Sequence, residues 1–373
     1  MRRVVILQEY IPIYRVPFFE ALRARAAMEQ IDLVVACGKP NESQDLRGDS
    51  GTVAFVTRLR QREFSIFGRR LVFRQVADTV RGADLVILEQ ARRNLDGYWL
   101  LGPFGRVERI ALWGHGRDYT RPTKFIDRLA QRWLTSRSDW FFAYTEGGMQ
   151  AVTADGYPRS RTTVVQNSID TTDLRREIAA VTPKEISDFS KLHDLQGKTA
   201  IFVGALDESK RLPFLFEAAE IAHKADAAFR LIVAGDGGLR EEVQSRTASA
   251  PWVTYLGPIS GDVKAVALAS AQVMAMPGRV GLVAVDSFAA GKPIVTTNWP
   301  WHAPEFEYLR DGWNCIIARD LEVSYAASLV GTLRDHELLT HLAKGCLQDS
   351  RRITLDSMVD RFLEGIEGAL NSN

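Results

Sequence analysis

The stretch from Pro277 to Thr297, PGRVGLVAVDSFAAGKPIVTT, sets glycines at 278 and 281 ahead of an apolar run that carries one carboxylate, Asp286. A helix opening near Gly281, Leu282 and Val283 would aim its first N–H groups, which lack intrahelical partners, and the positive end of its dipole at one point. That point suits an anion, and phosphate is the natural candidate. Lys210 and Arg211, in GALDESKRL, could neutralise a diphosphate, one as a point charge and the other through a planar fork. Glycines also follow apolar runs at Gly204, Gly235 and Gly257, so with Gly278 four strand ends admit a ligand close to the backbone. Each glycine taken alone reads first as a tight turn between strand and helix. Their concurrence favours the diphosphate.

The N-terminal half offers His115 in ALWGHGRDY, where Gly114 and Gly116 let an imidazole project from a turn; a packed turn histidine is the alternative. Glu9, Arg15, Glu89 and Asp118 fall at strand ends or in loops and are candidates to line a pocket there, with surface or capping duty as the other reading. RLRQREFSIFGRRLVFR (58–74) holds six arginines and one acid, with Phe64, Ile66, Phe67, Leu71, Val72 and Phe73 between them. It suits an anionic membrane or a lipid-linked diphosphate, or else forms an amphipathic helix with a solvated basic face. Nucleic acid is not expected, because no binding module accompanies it and the net charge is only +1. No HExxH occurs and the acid pair Asp207 and Glu208 lacks a partner set, so neither metal nor cofactor is expected.

These residues need strands and helices to hold them. RVVILQ (3–8), IDLVVAC (31–37), ADLVILE (83–89), ERIALWGHG (108–116), DWFFAYT (139–145) and TTVVQNSID (162–170) read as strands, interleaved with helical patterns at 15–28 and 124–137. Residues 173–196 are polar and read as a connection. Strands resume at 198–206, 229–237, 252–257, 271–278 and 292–297, with a helix at 212–225, and the chain is helical from Tyr325 onward. The alternation predicts two sequential α/β domains, each a doubly wound parallel sheet. A length of 373 residues fits two domains as well. Residues 1–170 carry 26 Lys and Arg against 19 Asp and Glu, or +7; the remaining 21 against 27 give −6, so the halves face different surroundings. Three scattered cysteines support no disulfide framework. The apolar run in MRRVVILQEYIPIY is too short for a signal segment, and no window is apolar enough to span a bilayer. A soluble cytoplasmic protein, resting at most on the inner face of the membrane, is expected.

VGALDESKRLPFLFEAA, LIVAGDGGLREEV, VTYLGPIS, PGRVGLVAVDSFAAGKPIVTT and HAPEFEYLRDGWN, taken in order, resemble the donor-binding domain of family-four retaining glycosyltransferases. PIYRVPFFEAL, LWGHG, AYTEGG and VVQNSID resemble the acceptor domain of the same family. The resemblance spans nearly the whole chain and implies the GT-B fold: an acceptor domain at 1–172, a connection at 173–196, a nucleotide-sugar domain at 197–354, and a C-terminal helix at 355–373 packing back on the first domain, with the donor in an interdomain cleft. It implies transfer from a UDP- or GDP-sugar to a hydroxyl of a glycan or lipid-linked saccharide, with retention, no essential metal, and a place in bacterial-type surface polysaccharide or glycoconjugate synthesis.

On that alignment Asp286 stands where the family's second glutamate binds ribose, and Gly278 stands where the first glutamate approaches the donor sugar, so that carboxylate is missing. Glu305 could supply it from the HAPEFEYL loop, while Glu307 matches the glutamate before an Asp-Gly turn. Ala205 replaces a frequent arginine, for which Arg211 could compensate. His115 is implied to contact the donor sugar, and Glu9, Arg15 and Asp118 become acceptor-side candidates. Front-face attack needs no protein nucleophile. The lost glutamate leaves room for a catalytically inactive nucleotide-sugar or glycan-binding scaffold, and, more weakly, for a nucleotide-sugar epimerase. A Rossmann dehydrogenase is disfavoured, because VVILQEYIP has no glycine fingerprint after the first strand.

Overall fold

The structure, a computed structural model, describes residues 1–41, 50–51, 53–66, 68–102, 107–120, 122, 124–195 and 197–372. It divides into two compact units, Met1–Asp170 with Leu355–Asn373, and Thr171–Thr354.

The first unit is built on β1 (Arg2–Gln8), β2 (Ile31–Cys37), β3 (Thr57–Arg58), β6 (Leu85–Glu89), β7 (Ile110–Gly114), β8 (Trp140–Ala143) and β9 (Thr162–Val164). They form one parallel sheet in the order β3-β2-β1-β6-β7-β8-β9. Continuous apolar runs suit strands covered on both faces. The period of two splits β1 accordingly: Val4 and Ile6 join the layer of Phe18, Phe19 and Phe362, whereas Val5 and Leu7 join that of Leu100, Met149 and Val152. Phe362, on the terminal helix Leu355–Asn371, stacks on Phe142 at 4.5 Å and meets Trp113 at 4.9 Å, so this helix belongs to the core of the first unit.

The second unit has β10 (Lys198–Val203), β11 (Phe229–Ala234), β12 (Val253–Gly257), β13 (Val273–Met276), β14 (Ile294–Thr297) and β15 (Cys315–Ala318), again parallel, in the order β12-β11-β10-β13-β14-β15. Strand order reverses between β1 and β6 in one sheet and between β10 and β13 in the other. Loops leaving such a pair diverge to opposite faces and open a crevice at the carboxyl ends.

Two expectations change. Residues 58–74 are not a helix: β4 (Gln61–Ile66) and β5 (Arg69–Arg74) form an antiparallel hairpin. Its register puts Arg62, Phe64, Ile66, Arg69, Leu71 and Phe73 on one face and turns Arg70 and Arg74 to the other, where Arg70 pairs with Glu9 and Glu63 and the fully buried Arg74 pairs with Asp96 at 2.6 Å. Phe67 lies outside the described residues. Residues 173–196, expected as a connection, instead hold the helices Thr172–Ala180 and Pro183–Leu192, which pack on the helices Gly261–Ser270 and Val283–Ala290 of the second unit. The second helix opens with a Thr182–Glu185 capping box and Pro183 in its first turn, a start signal written into the polar composition. Cys37, Cys315 and Cys346 are free and buried. Among the described residues no helix is long and apolar enough to cross a membrane.

Candidate functional site

The crevice at β10 and β13 gathers most of the donor-side residues expected from sequence. Gly204 follows β10, and Gly235 crosses it so closely that a Cβ there would lie 1.8 Å from the Gly204 carbonyl oxygen, at a φ of +145° that also favours glycine. Gly257, at φ +70°, ends β12 and accepts from the Gly235 N–H at 2.8 Å. Beyond β13, Gly278 lies directly under the turn Glu208–Lys210: a Cβ would fall 2.5 Å from the Ser209 carbonyl oxygen and the Lys210 carbonyl carbon. The two loops are stitched together there, since the Arg279 N–H donates to Ser209 at 2.8 Å and Lys210 Nζ donates to the Arg279 carbonyl at 2.7 Å. Backbone thus occupies the space that any side chain at position 278 would need.

Gly281 and Leu282 lead into the helix Val283–Ala290, and their carbonyls accept the Ala284 and Val285 N–H groups, each at 2.9 Å. The carboxylate of Glu305, buried at 4% exposure, comes against Gly281: Oε2 is 3.6 Å from where a Cβ would stand. Its charge reaches Lys210, whose ammonium burial pushes down to about 8 while Asp207 and Glu305 hold it up. Arg279, which sequence reasoning passed over, is near enough to push the Lys210 ammonium further down, and its guanidinium donates to the Trp301 carbonyl at 3.1 Å. Arg211 was the expected partner. Its guanidinium is committed elsewhere, paired with Asp320 and lying over the rings of Phe214 at 4.2 Å and Trp299 at 5.5 Å. Glu307 is exposed.

Asp286 sits in the first turn of its helix, half-buried rather than packed inward, and accepts from Lys264 Nζ at 2.8 Å. Lys264 was not a sequence candidate: the pair spans 22 positions and two helices. His302 is a second residue the sequence did not single out. Its Nδ1 accepts from the Val280 N–H at 3.1 Å and its other ring nitrogen donates to the Thr297 carbonyl at 2.9 Å, with the ring stacked on Phe306 at 4.0 Å. This clamps the loop after β13 to the loop after β14. Burial pushes the imidazole down to about 4, so it is neutral at pH 7.

In the first unit, His115 leaves the end of β7 on a turn held by glutamines: Gln90 Oε1 accepts the Gly116 N–H at 2.9 Å, and Gln131 Nε2 donates to the Gly116 carbonyl at 2.9 Å. Gly116, at φ +76°, would place a Cβ 2.1 Å from the Gly148 carbonyl, so glycine is required. The imidazole is half-buried, edge-on to Tyr144 at 4.6 Å and Tyr119 at 5.9 Å.

The acceptor-side candidates fare differently. Arg15 is buried, bonded to Asn167 and set over Trp113 at 5.2 Å, which makes it part of the core. Glu9, 1% exposed, is gripped by Arg70 and Arg93, which hold its carboxyl low against the upward push of burial. Asp118 accepts from the Thr120 N–H at 2.9 Å and closes a local turn. Glu89 accepts the Glu9 N–H at 2.8 Å, and burial raises its carboxyl to about 7. Among the described residues no three His, Cys, Asp or Glu side chains gather as a metal site.

Two Rossmann-like sheets with these strand-end crevices define a GT-B architecture. Residues 197–335, within the second unit, match the family model of glycosyl transferases group 1. A D-inositol 3-phosphate glycosyltransferase of Thermomonospora curvata is 29% identical over 185 residues, covering 45% of this chain and 42% of that protein. HepE of Anabaena, solved with UDP and glucose, has a TM-score of 0.70 at 15% identity over 98% of this chain and 100% of its own. A glycosyltransferase of Rickettsia africae has a TM-score of 0.71 at 11% identity, over 100% and 99% of the two chains. The fold of the whole chain is thus that of the GT-B neighbours, and the family match lies within the second unit.

Proposed function

We propose that the chain is a nucleotide-sugar glycosyltransferase whose second unit grips the donor diphosphate at the β10/β13 crevice. The observation that carries this reading is the Lys210 ammonium, bound to the Arg279 carbonyl between the glycine-lined strand ends where the loop into the helix Val283–Ala290 begins. Cations and oriented amides in a partly buried place stabilise a leaving diphosphate with little reorganisation. Asp286 accepts the ribose hydroxyls in exchange for part of its bond to Lys264, and a carboxylate can take two such donors. Glu305 carries the same charge as the diphosphate, so its role is toward the sugar hydroxyls. The complex of the neighbour HepE with UDP and glucose supports a UDP-sugar more than a GDP-sugar.

Transfer proceeds with retention and without a metal. The acceptor hydroxyl oxygen bonds to the anomeric carbon, the bond from that carbon to the diphosphate breaks, and the hydroxyl proton passes to the departing phosphate. His115, on the first unit, contacts the donor sugar, and the acceptor is a glycan or lipid-linked saccharide of surface polysaccharide synthesis. The test is turnover: release of nucleoside diphosphate should require both donor and saccharide acceptor. Binding without release would leave a scaffold, and a changed sugar with donor alone would make the protein an epimerase.

A further inference from the structure

The helix Phe125–Ser136 carries apolar residues on its outward side as well as its inward one. Inward, Leu134 joins the core among polar neighbours: the buried Asp127 takes a 2.8 Å ion pair from Arg69, Gln131 holds the Gly116 carbonyl, and Thr135 accepts from Gln90 at 3.1 Å. Its outward side carries Phe125, Ile126, Leu129 and Trp133, at 76%, 71%, 49% and 36% exposure. Their spacing puts all four on one stripe. Single exposed apolar residues are ordinary, but a contiguous stripe facing away from the core marks a docking face.

Cations fringe the stripe: Lys124, Arg128, Arg132 and Arg137, the last with its guanidinium 4.7 Å over the Trp133 ring. The helix's one acid, Asp127, points inward; the neighbouring Asp155 pairs with Arg128 at 2.8 Å. The Arg69–Asp127 pair joins the tip of the β4–β5 hairpin to the first turn of the helix, and the hairpin itself exposes Phe64 and Ile66 at 46% and 50%.

We propose that this face of the first unit docks on an anionic lipid bilayer, with the apolar stripe at the acyl boundary and the arginine fringe among the headgroups. A second copy of the chain is the poorer occupant, because self-pairing would bring the two cationic fringes together. The inference is independent of the glycosyl-transfer reading.

The test is co-sedimentation of the full chain with vesicles of phosphatidylcholine, alone or mixed with phosphatidylglycerol. Binding to the mixed vesicles that weakens with salt is expected, with at least about a tenfold loss in the triple variant Phe125→Ser, Ile126→Ser, Leu129→Ser. These side chains are largely solvated, so the variant should melt as the parent does. The proposal is overturned if the parent ignores mixed vesicles, or if a normally melting triple variant binds as the parent does. It is equally overturned if the parent is a dimer that the triple variant dissolves while neither binds vesicles.

Discussion

At Gly278 the space for a side chain is filled by the Ser209–Lys210 backbone, so adding one forces apart the two loops that form the crevice. Gly278→Ala should cost about 1–3 kcal/mol, read from chemical denaturation, and Gly278→Glu more, without restoring a sugar contact. The neighbouring Lys210 carries charge below about pH 8 and loses it above. Affinity for UDP should therefore fall as pH rises from 7 to 9, and titration calorimetry should show that dependence vanish, with binding at least about tenfold weaker, in Lys210→Met. Sequence spacing made Lys210, Asp286 and the strand-end glycines legible, because all follow directly from local turns and a helix start. It could not show that Arg211 is drawn away by Asp320, 109 positions on, or that Arg279 comes close to Lys210. Those outcomes depend on which loops meet across the sheet.

Among the elements, the His302 clamp between the loops after β13 and β14 makes stability pH-dependent. The folded imidazole titrates near 4 and the unfolded one near 6.5. Between those values the unfolded chain binds the extra proton, so this contribution is complete above pH 6.5 and is lost as pH falls toward 4, by about 3 kcal/mol in all. Denaturation midpoints across this window should fall in the parent and less so in His302→Phe. Element type was readable where the apolar period was clean, as for β1, β10 and the helix Leu212–Ala225. It failed at 58–74, where alternation at a period of two was hidden by the density of arginines. Periodicity also predicted a helix near 124–137, yet a period cannot tell which face turns inward, and in Phe125–Ser136 it is the one with Asp127, Leu134 and Thr135.

Across the whole molecule, two parallel sheets were legible because the strand and helix alternation stops and restarts. The segment 173–196 was misread since exposed helices resting on a domain's flank need few apolar residues. The terminal helix Leu355–Asn371 lends Phe362 and Ile366 to the core of the first unit. Each such side chain is worth about 1.5–3 kcal/mol on burial, so truncation after Thr354 should abolish the near-ultraviolet dichroism of the first unit and leave the second, Thr171–Thr354, folded.

Diphosphate capture by the second unit is most directly tested by the melting temperature with and without millimolar UDP or GDP. A rise of several degrees with one of them, absent in Lys210→Met, is the predicted result. An unchanged melting temperature with both would contradict it.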